Sequence, residues 1–249
     1  MSKHVLSSRT IKKIRRSRRH PRPTQFDYLH LRYVVEHLTG AILRVQPAPR
    51  DVLDVYCGSR PYDDLLPSGS RCVGLDVDDA YRVADVVSEQ FLPFADDSFD
   101  LVMCLQAFHY VPDPLRGVQE FRRVVRPGGT VVVMLTLVWE YDRTILEHRY
   151  TGPELAALFD GWEQVDVVEN GGRAVCWTTI TGCMLHAVER RLFEWPAPIR
   201  IPFRALFRTV YVALNALGVA LDRVERRMPN DPYTLPMNLL VMARRPVNG

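Results

Sequence analysis

The feature that most constrains this chain is the alternation of short β-rich runs with helical stretches over its first 140 residues. Strands are expected at Asp51–Tyr56, Arg71–Asp76, Arg82–Val87, Phe99–Leu105 and Thr130–Trp139. Residues 114–126 between the last two have helical spacing and close at Pro127-Gly128-Gly129. Two further strands, Glu163–Glu169 and Met237–Arg244, bring the expected sheet to seven. Strands separated by crossover helices pair in parallel, and a parallel sheet needs helices on both faces. The expected class is therefore α/β: a mostly parallel seven-stranded sheet with helices on both faces.

The flanking segments divide the chain further. Tyr28, Leu31, Val34, Val35, Leu38 and Ile42 recur at helical spacing, and Pro47 and Pro49 end that helix. Thr151 and Glu154 have the spacing of a capping box, so a helix starts there. Residues 178–228 read as a helical insertion or lid before the last strand, broken into two pieces by Trp195, Pro196, Pro198 and Pro202. Residues 1–26 hold nine Lys and Arg and no acid, and end at Pro21-Arg22-Pro23; residues 27–249 hold 23 basic and 29 acidic residues. The chain thus reads as a flexible basic arm, 1–26, on a slightly acidic domain, 27–249. Such an arm suits an anionic membrane surface or the phosphates of nucleic acid. It has no aromatic residue before Phe26, which weighs against a single-strand nucleic-acid binder.

Composition excludes some classes. Across 249 residues, 47% are hydrophobic and 24% charged, which is globular rather than disordered. No uninterrupted apolar run reaches the roughly 18 residues that span a bilayer. The longest candidate, Thr209–Leu221, is fenced by Arg204, Arg208, Asp222 and Arg223. The apolar stripe within 199–221 could dip into a membrane interface, but packing as a lid or dimer face is the plainer expectation. The first residues lack the apolar core of a secretory leader. Cys57, Cys72, Cys104, Cys176 and Cys183 are scattered without a CxxC pair, so neither a disulfide framework nor a metal site is expected. A cytoplasmic location follows, with the arm allowing peripheral contact at the inner membrane surface.

The chemistry concentrates where the first strand ends. Asp54-Val55-Tyr56-Cys57-Gly58-Ser59 places an acid and a small-residue turn at a strand end, where a ligand can approach the backbone closely. Asp76, at the end of the next strand, can accept both hydroxyls of a ribose, with Asp78 and Asp79 as neighbouring competitors. Ala84-Asp85-Val86, Leu92-Pro93-Phe94, Ser98-Phe99-Asp100, Gln106-Ala107-Phe108-His109-Tyr110 and Arg126-Pro127-Gly128-Gly129 follow in order.

In that order and spacing these motifs resemble the class I S-adenosylmethionine-dependent methyltransferases, in the branch called methyltransferase type 11. The resemblance covers residues 50–140 and, more weakly, 27–50 and 140–185. It implies a Rossmann-like sheet with S-adenosylmethionine as cofactor. Asp54, Tyr56, Cys57, Gly58 and Ser59 would form the cofactor loop, and Asp76 with Val77 would hold the ribose. Asp85 and Val86 would flank the adenine, while Leu105 and Gln106 would face the methionine part. The family loop usually carries three glycines; here only Gly58 remains, with Tyr56 and Arg60 at the other two places. The Gly-Ser-Arg-Pro-Tyr loop and Glu147-His148-Arg149-Tyr150-Thr151 also look like enzymes of glycan and natural-product biosynthesis.

Among candidate catalytic groups, His109 follows the fourth strand and can accept a hydroxyl proton near neutral pH. His148 is a second candidate and Tyr150 a third; the plainer expectation for His109 is that it braces its loop. The resemblance implies methyl transfer to a small-molecule or glycan-like acceptor, most simply at oxygen. Two alternatives remain: an RNA or protein methyltransferase docking through the arm, and a non-catalytic scaffold whose altered loop no longer holds cofactor.

Overall fold

The computed structural model describes residues 6–78, 80–89, 91–141, 143–192, 194–228 and 234–248. Seven strands form one sheet: β1 (Asp51–Val55), β2 (Arg71–Asp76), β3 (Val86–Val87), β4 (Phe99–Leu105), β5 (Val125–Thr136), β6 (Glu163–Asn170) and β7 (Asn238–Arg244). Their spatial order is β3-β2-β1-β4-β5-β7-β6, with β7 antiparallel to both neighbours and the other pairings parallel. This is the Rossmann-like arrangement expected. The chain steps outward through β1, β2 and β3, then returns to lay β4 beside β1. The crevice at that switch point opens at the carboxyl ends of β1 and β4.

Period-two alternation places the two cores. Val52, Leu101 and Met103 face the α2 side (Tyr28–Arg44), packing with Val34, Leu38 and Ile42. Leu53, Val102 and Cys104 face the other side, with Phe108, Phe121 of α3 (Pro114–Val124) and Phe159 beyond α4 (Gly152–Ala157). At the start of α4 the Thr151 side chain and Glu154 form the expected capping box.

Several boundaries differ from the sequence expectation. The third strand is only Val86–Val87, because Arg82 takes a left-handed backbone (φ 53°) and the Asp85 N–H turns to the Gly74 carbonyl, 2.9 Å away. Pro127-Gly128-Gly129 lies inside β5 rather than before it, since Val125 already pairs with Phe99. The insertion begins earlier than residue 178: α5 spans Arg173–Leu192 and α6 spans Ala197–Glu225. The break falls near Trp195 and Pro196, as expected, but Pro198 lies in the first turn of α6 and Pro202 is carried within the helix. By length and overall composition α6 is apolar enough to cross a bilayer, although charged residues interrupt it.

The N-terminal segment, expected to be a flexible arm, is helical over Ser8–Arg19 (α1), with Ser7 as its N-cap. Ile11 is buried, Arg15 Nε donates to the Ser59 carbonyl, and Arg19 pairs with Asp64 at 2.9 Å. The i, i+3, i+4 spacing explains this division: Ile11, Arg15 and Arg19 turn inward while Arg9, Lys12, Lys13 and Arg16 stay exposed.

Candidate functional site

The loop after β1 owes its shape to three left-handed residues. Tyr56, Gly58 and Arg60 have φ of 55°, 51° and 53°. These are the three positions where the related loop carries glycine. A non-glycine residue in this region is strained by roughly 1–2 kcal/mol, so Tyr56 and Arg60 need compensation from their surroundings. The Tyr56 ring packs beside Phe91, with centroids 6.2 Å apart. Arg60 is clamped by Asp63 at 2.9 Å, Asp85 at 2.5 Å and the Cys72 carbonyl at 2.9 Å.

The curl of the loop directs the Gly58 N–H to Asp76 Oδ2 at 2.9 Å, while the Val77 N–H meets Oδ1 at 2.8 Å. Asp76 is half-buried at the end of β2, and burial raises its carboxyl above the usual range. The Asp78 N–H bonds the carboxylate as well, and with about four acceptor sites on its two oxygens the group can still take a ligand hydroxyl. The Ser59 hydroxyl is buried in the same loop without a hydrogen-bond partner. Asp54 is fully buried below them. Burial, reinforced by the Asp63 and Asp76 carboxylates, pushes its carboxyl up to about 8. Cys57 also lines the loop, and burial pushes its thiol up, so it is a neutral wall rather than a nucleophile.

A cavity of about 870 Å³ opens over these groups. It is lined by Asp54, Tyr56, Cys57, Gly58 and Ser59 on the β1 side, by Asp76 and Val77 on the β2 side, and by Leu105 and Gln106 after β4. Eleven cofactor residues were expected from the sequence; these nine meet in one space, at the upper end of the usual ligand-pocket size. Gln106 has φ of 59°, and its amide is tied to Thr136 and, at 3.4 Å, to Asn238.

Asp85 and Val86 do not line the cavity. The Asp85 carboxylate is taken by Arg60 and by the Gly74 N–H at 2.8 Å. Ser88, Glu89 and Phe91 occupy the rim instead. Sequence reasoning missed these three, which lie beyond Val87, the last residue of β3. Asp78 stays outside the lining, and Asp79 lies outside the described residues.

His109 and His148 do not line the cavity either; Tyr110 does. His109 is buried, with its ring against Tyr110 (centroids 4.0 Å apart), and its carbonyl accepts the His148 N–H at 2.9 Å. Burial, helped by the Arg149 charge, lowers its imidazole to about 4. Nδ1 of His109, Nε2 of His148 and the Tyr150 hydroxyl are all buried without partners. Glu147 and Arg149 form a 2.6 Å pair, and Arg149 donates to the Thr136 carbonyl at 2.8 Å. The 147–151 segment thus docks against the turn after β4 as a brace. The outer cavity gains three residues for which no sequence signal was used: Arg18 from α1, Arg116 from α3 and Ile145 from the loop after β5.

The donor set fits a nucleoside cofactor: a carboxylate with free lone pairs at a strand end, an unpartnered hydroxyl and a turn that exposes backbone. Comparison with known proteins agrees. Residues 53–133 match the family model described as a methyltransferase domain. Over those residues the chain is similar to the class I S-adenosylmethionine-dependent methyltransferases. The chain is 37% identical over 106 residues to a demethylmenaquinone methyltransferase of Mycobacterium sp. (strain KMS), covering 38% of this chain and 45% of that one. It is 28% identical over 123 residues to a ubiquinone biosynthesis O-methyltransferase of Aliivibrio fischeri (strain MJ11), covering 43% and 50%. The chain therefore spans about half the length of these curated relatives. A solved Galdieria sulphuraria structure, assigned as a sarcosine dimethylglycine methyltransferase, superposes with a TM-score of 0.51 at 15% identity, over 87% of this chain and 85% of that one. At that identity the likeness concerns the fold alone.

Proposed function

We propose that this methyltransferase transfers a methyl group from S-adenosylmethionine to a small, largely apolar acceptor that reacts through a hydroxyl. The observation that carries the reading is the convergence of Asp76, the unpartnered Ser59 hydroxyl and Asp54 on one cavity at the switch point. Asp76 would accept the ribose hydroxyls, and Asp54 would lie near the cationic end of the cofactor. When bound, the cofactor supplies an electrophilic methyl group on a sulfonium sulfur. The protein's contribution is chiefly to hold acceptor oxygen, methyl carbon and sulfur in line, which supplies much of the rate.

The outer cavity favours an apolar acceptor over a glycan. Phe91, Val111, Pro112 and Ile145 give it apolar walls, with Arg18, Glu89, Asp113 and Arg116 as its charged groups. The two relatives named above carry quinones in their names, which supports the same class. Glu89 and Asp113 also line the cavity, so the hydroxyl proton has acceptors there without His109 or His148. All five cysteines are free thiols, which suits a cytoplasmic setting.

The test is transfer of isotope-labelled methyl from S-adenosylmethionine to a panel of phenolic quinol precursors and of sugars, with calorimetry of the cofactor alone. The expected result is micromolar cofactor binding and labelled product from the apolar phenols. Cofactor binding without product from any acceptor would favour the scaffold alternative.

A further inference from the structure

The α5–α6 hairpin is built in two unlike halves. The second half of α6 is fastened to α5, where the Tyr211 hydroxyl donates to Glu189 at 2.8 Å, and to the segment after α1, where Asn215 Nδ2 donates to the Pro23 and Gln25 carbonyls, both at 2.8 Å. Gly218 admits Thr178 and Leu29 so closely that any side chain there would collide with them. The first half of α6, residues 197–210, rises about 20 Å along its axis with no buried residue. Its exposed side chains include Ile199, Ile201, Phe203 and Leu206, and Trp195 stands exposed at the turn, edge-on to Phe203. Met184 and Val188, on the facing part of α5, are exposed as well. So many large apolar side chains exposed at one end of a hairpin mark an interaction site.

The charge around the tip identifies that partner. Between residues 184 and 210 lie Arg190, Arg191, Arg200, Arg204 and Arg208 against Glu189 and Glu194. Glu189 is itself engaged by His186 and Tyr211. The hairpin is also joined to the basic helix α1. Phe26, just beyond α1, stacks on His186 of α5 with centroids 4.2 Å apart, and the Asn215 bonds hold Pro23 and Gln25. Arg9, Lys12, Lys13 and Arg16 form one exposed stripe on α1. Topology places both elements at the cavity end of the sheet. β6 runs parallel to β5 and delivers α5 at its carboxyl end, and α6 returns the chain to the start of antiparallel β7 at that same end.

We propose that the α5–α6 tip inserts into the interface of an anionic lipid bilayer, with the basic stripe of α1 lying on the headgroups. Apolar side chains flanked by arginines, with a tryptophan at the turn, match the layering of an interfacial helix. The anchored second half of α6 keeps the hairpin lying in the interface rather than crossing it. Docking there turns the apolar rim of the cavity, where Ile145 and Leu146 are exposed, toward molecules held in the bilayer.

The experiment uses the full chain with vesicles of phosphatidylcholine alone and of phosphatidylcholine with one-third phosphatidylglycerol, read by co-sedimentation. Anionic vesicles should bind at least about tenfold more tightly, and that preference should collapse at high salt. The double variant Phe203→Ser, Leu206→Ser should lose about tenfold on anionic vesicles. Lys12→Glu with Lys13→Glu should lose the salt-sensitive part. Both variants should keep the wild-type affinity for S-adenosylmethionine, a readout that separates docking from the activity proposed above. Brominated lipids should quench wild-type tryptophan fluorescence more than that of Trp195→Phe. Wild-type vesicle binding by the Phe203/Leu206 variant would overturn the proposal. So would a dimer that this variant dissociates while neither protein binds vesicles, because the tip would then be a contact between copies of the chain.

Discussion

Nη1 of Arg60 lies 2.5 Å from Oδ2 of Asp85, and this pair takes out of the cavity a carboxylate that the motif pattern assigns to the adenine. Arg60 stands in the left-handed loop after β1 where the related loop carries glycine, and Asp85 is one of the groups that make a charged residue tolerable there. Asp85→Ala should therefore leave cofactor affinity within about twofold while costing roughly 1–2 kcal/mol of stability. In a chain of this size that corresponds to a melting temperature lower by about 2–5 °C. Calorimetry and thermal melts on one preparation check both; a large loss of affinity would return Asp85 to the adenine.

Asp76→Ala removes both acceptor oxygens offered to the ribose. Cofactor binding should weaken by about 2–3 kcal/mol, while the fold loses the bonds to the Gly58, Val77 and Asp78 N–H groups. Titration calorimetry reads this directly. Unchanged affinity would move the ribose to another acid.

Asp54 makes the site pH-dependent. Its folded carboxyl titrates near 8 against an ordinary 3.8, so the folded chain keeps a proton that the unfolded chain has released between those values. Stability of the ligand-free protein should fall as pH rises through that window. A cationic cofactor favours the carboxylate, so binding at pH 7 should release a proton and tighten toward pH 8. Calorimetry in two buffers of different ionisation enthalpy measures that proton, and Asp54→Asn should abolish it.

His109 should prove a brace. Its folded imidazole titrates near 4 against an ordinary 6.5, so the stability it confers is present above 6.5 and is lost as pH falls toward 4. His109→Gln should flatten that acid dependence and leave turnover within about threefold of wild type. A fall of about 10²–10⁴ would make it the general base after all.

The arm bears on the cofactor as well as on lipid. Arg15 donates to the Ser59 carbonyl and Arg18 lines the cavity, so removing residues 1–23 should weaken cofactor binding by about 1 kcal/mol, roughly fivefold. Calorimetry of the shortened chain measures this. An unchanged affinity would show that α1 rests on the loop without supporting it.

What could be read in advance followed the period of the pattern. The strands β1, β2 and β4 and the capping box at Thr151 were legible because alternation and local capping are short-range signals. That nine loop and strand-end residues line one cavity was legible because order along the chain fixes order along the crevice. Asp85 was not, because its fate depends on an arginine 25 residues away in sequence that only folding brings beside it. His109 was misleading for a related reason: one residue separates the lining Tyr110 from a ring turned into the core, and linear position cannot resolve that rotation. The helix α1 was hidden by its charge, since its inward face is a single buried isoleucine and two arginines, which leaves few apolar residues to carry the helical period.

The excursion from β6 to β7 closes on one amide pair, Asn238 Nδ2 to Asn170 Oδ1 at 2.8 Å, across adjacent antiparallel strands. A tight turn would join the same two strands, so residues 171–237 are a cassette spliced into a hairpin rather than a piece of the sheet's own wiring. Its length and surface can drift, or be exchanged for another module, without altering the register of any strand that builds the cofactor loop. Chimeras that swap this cassette between relatives should therefore retain cofactor affinity while taking on the donor's surface preference.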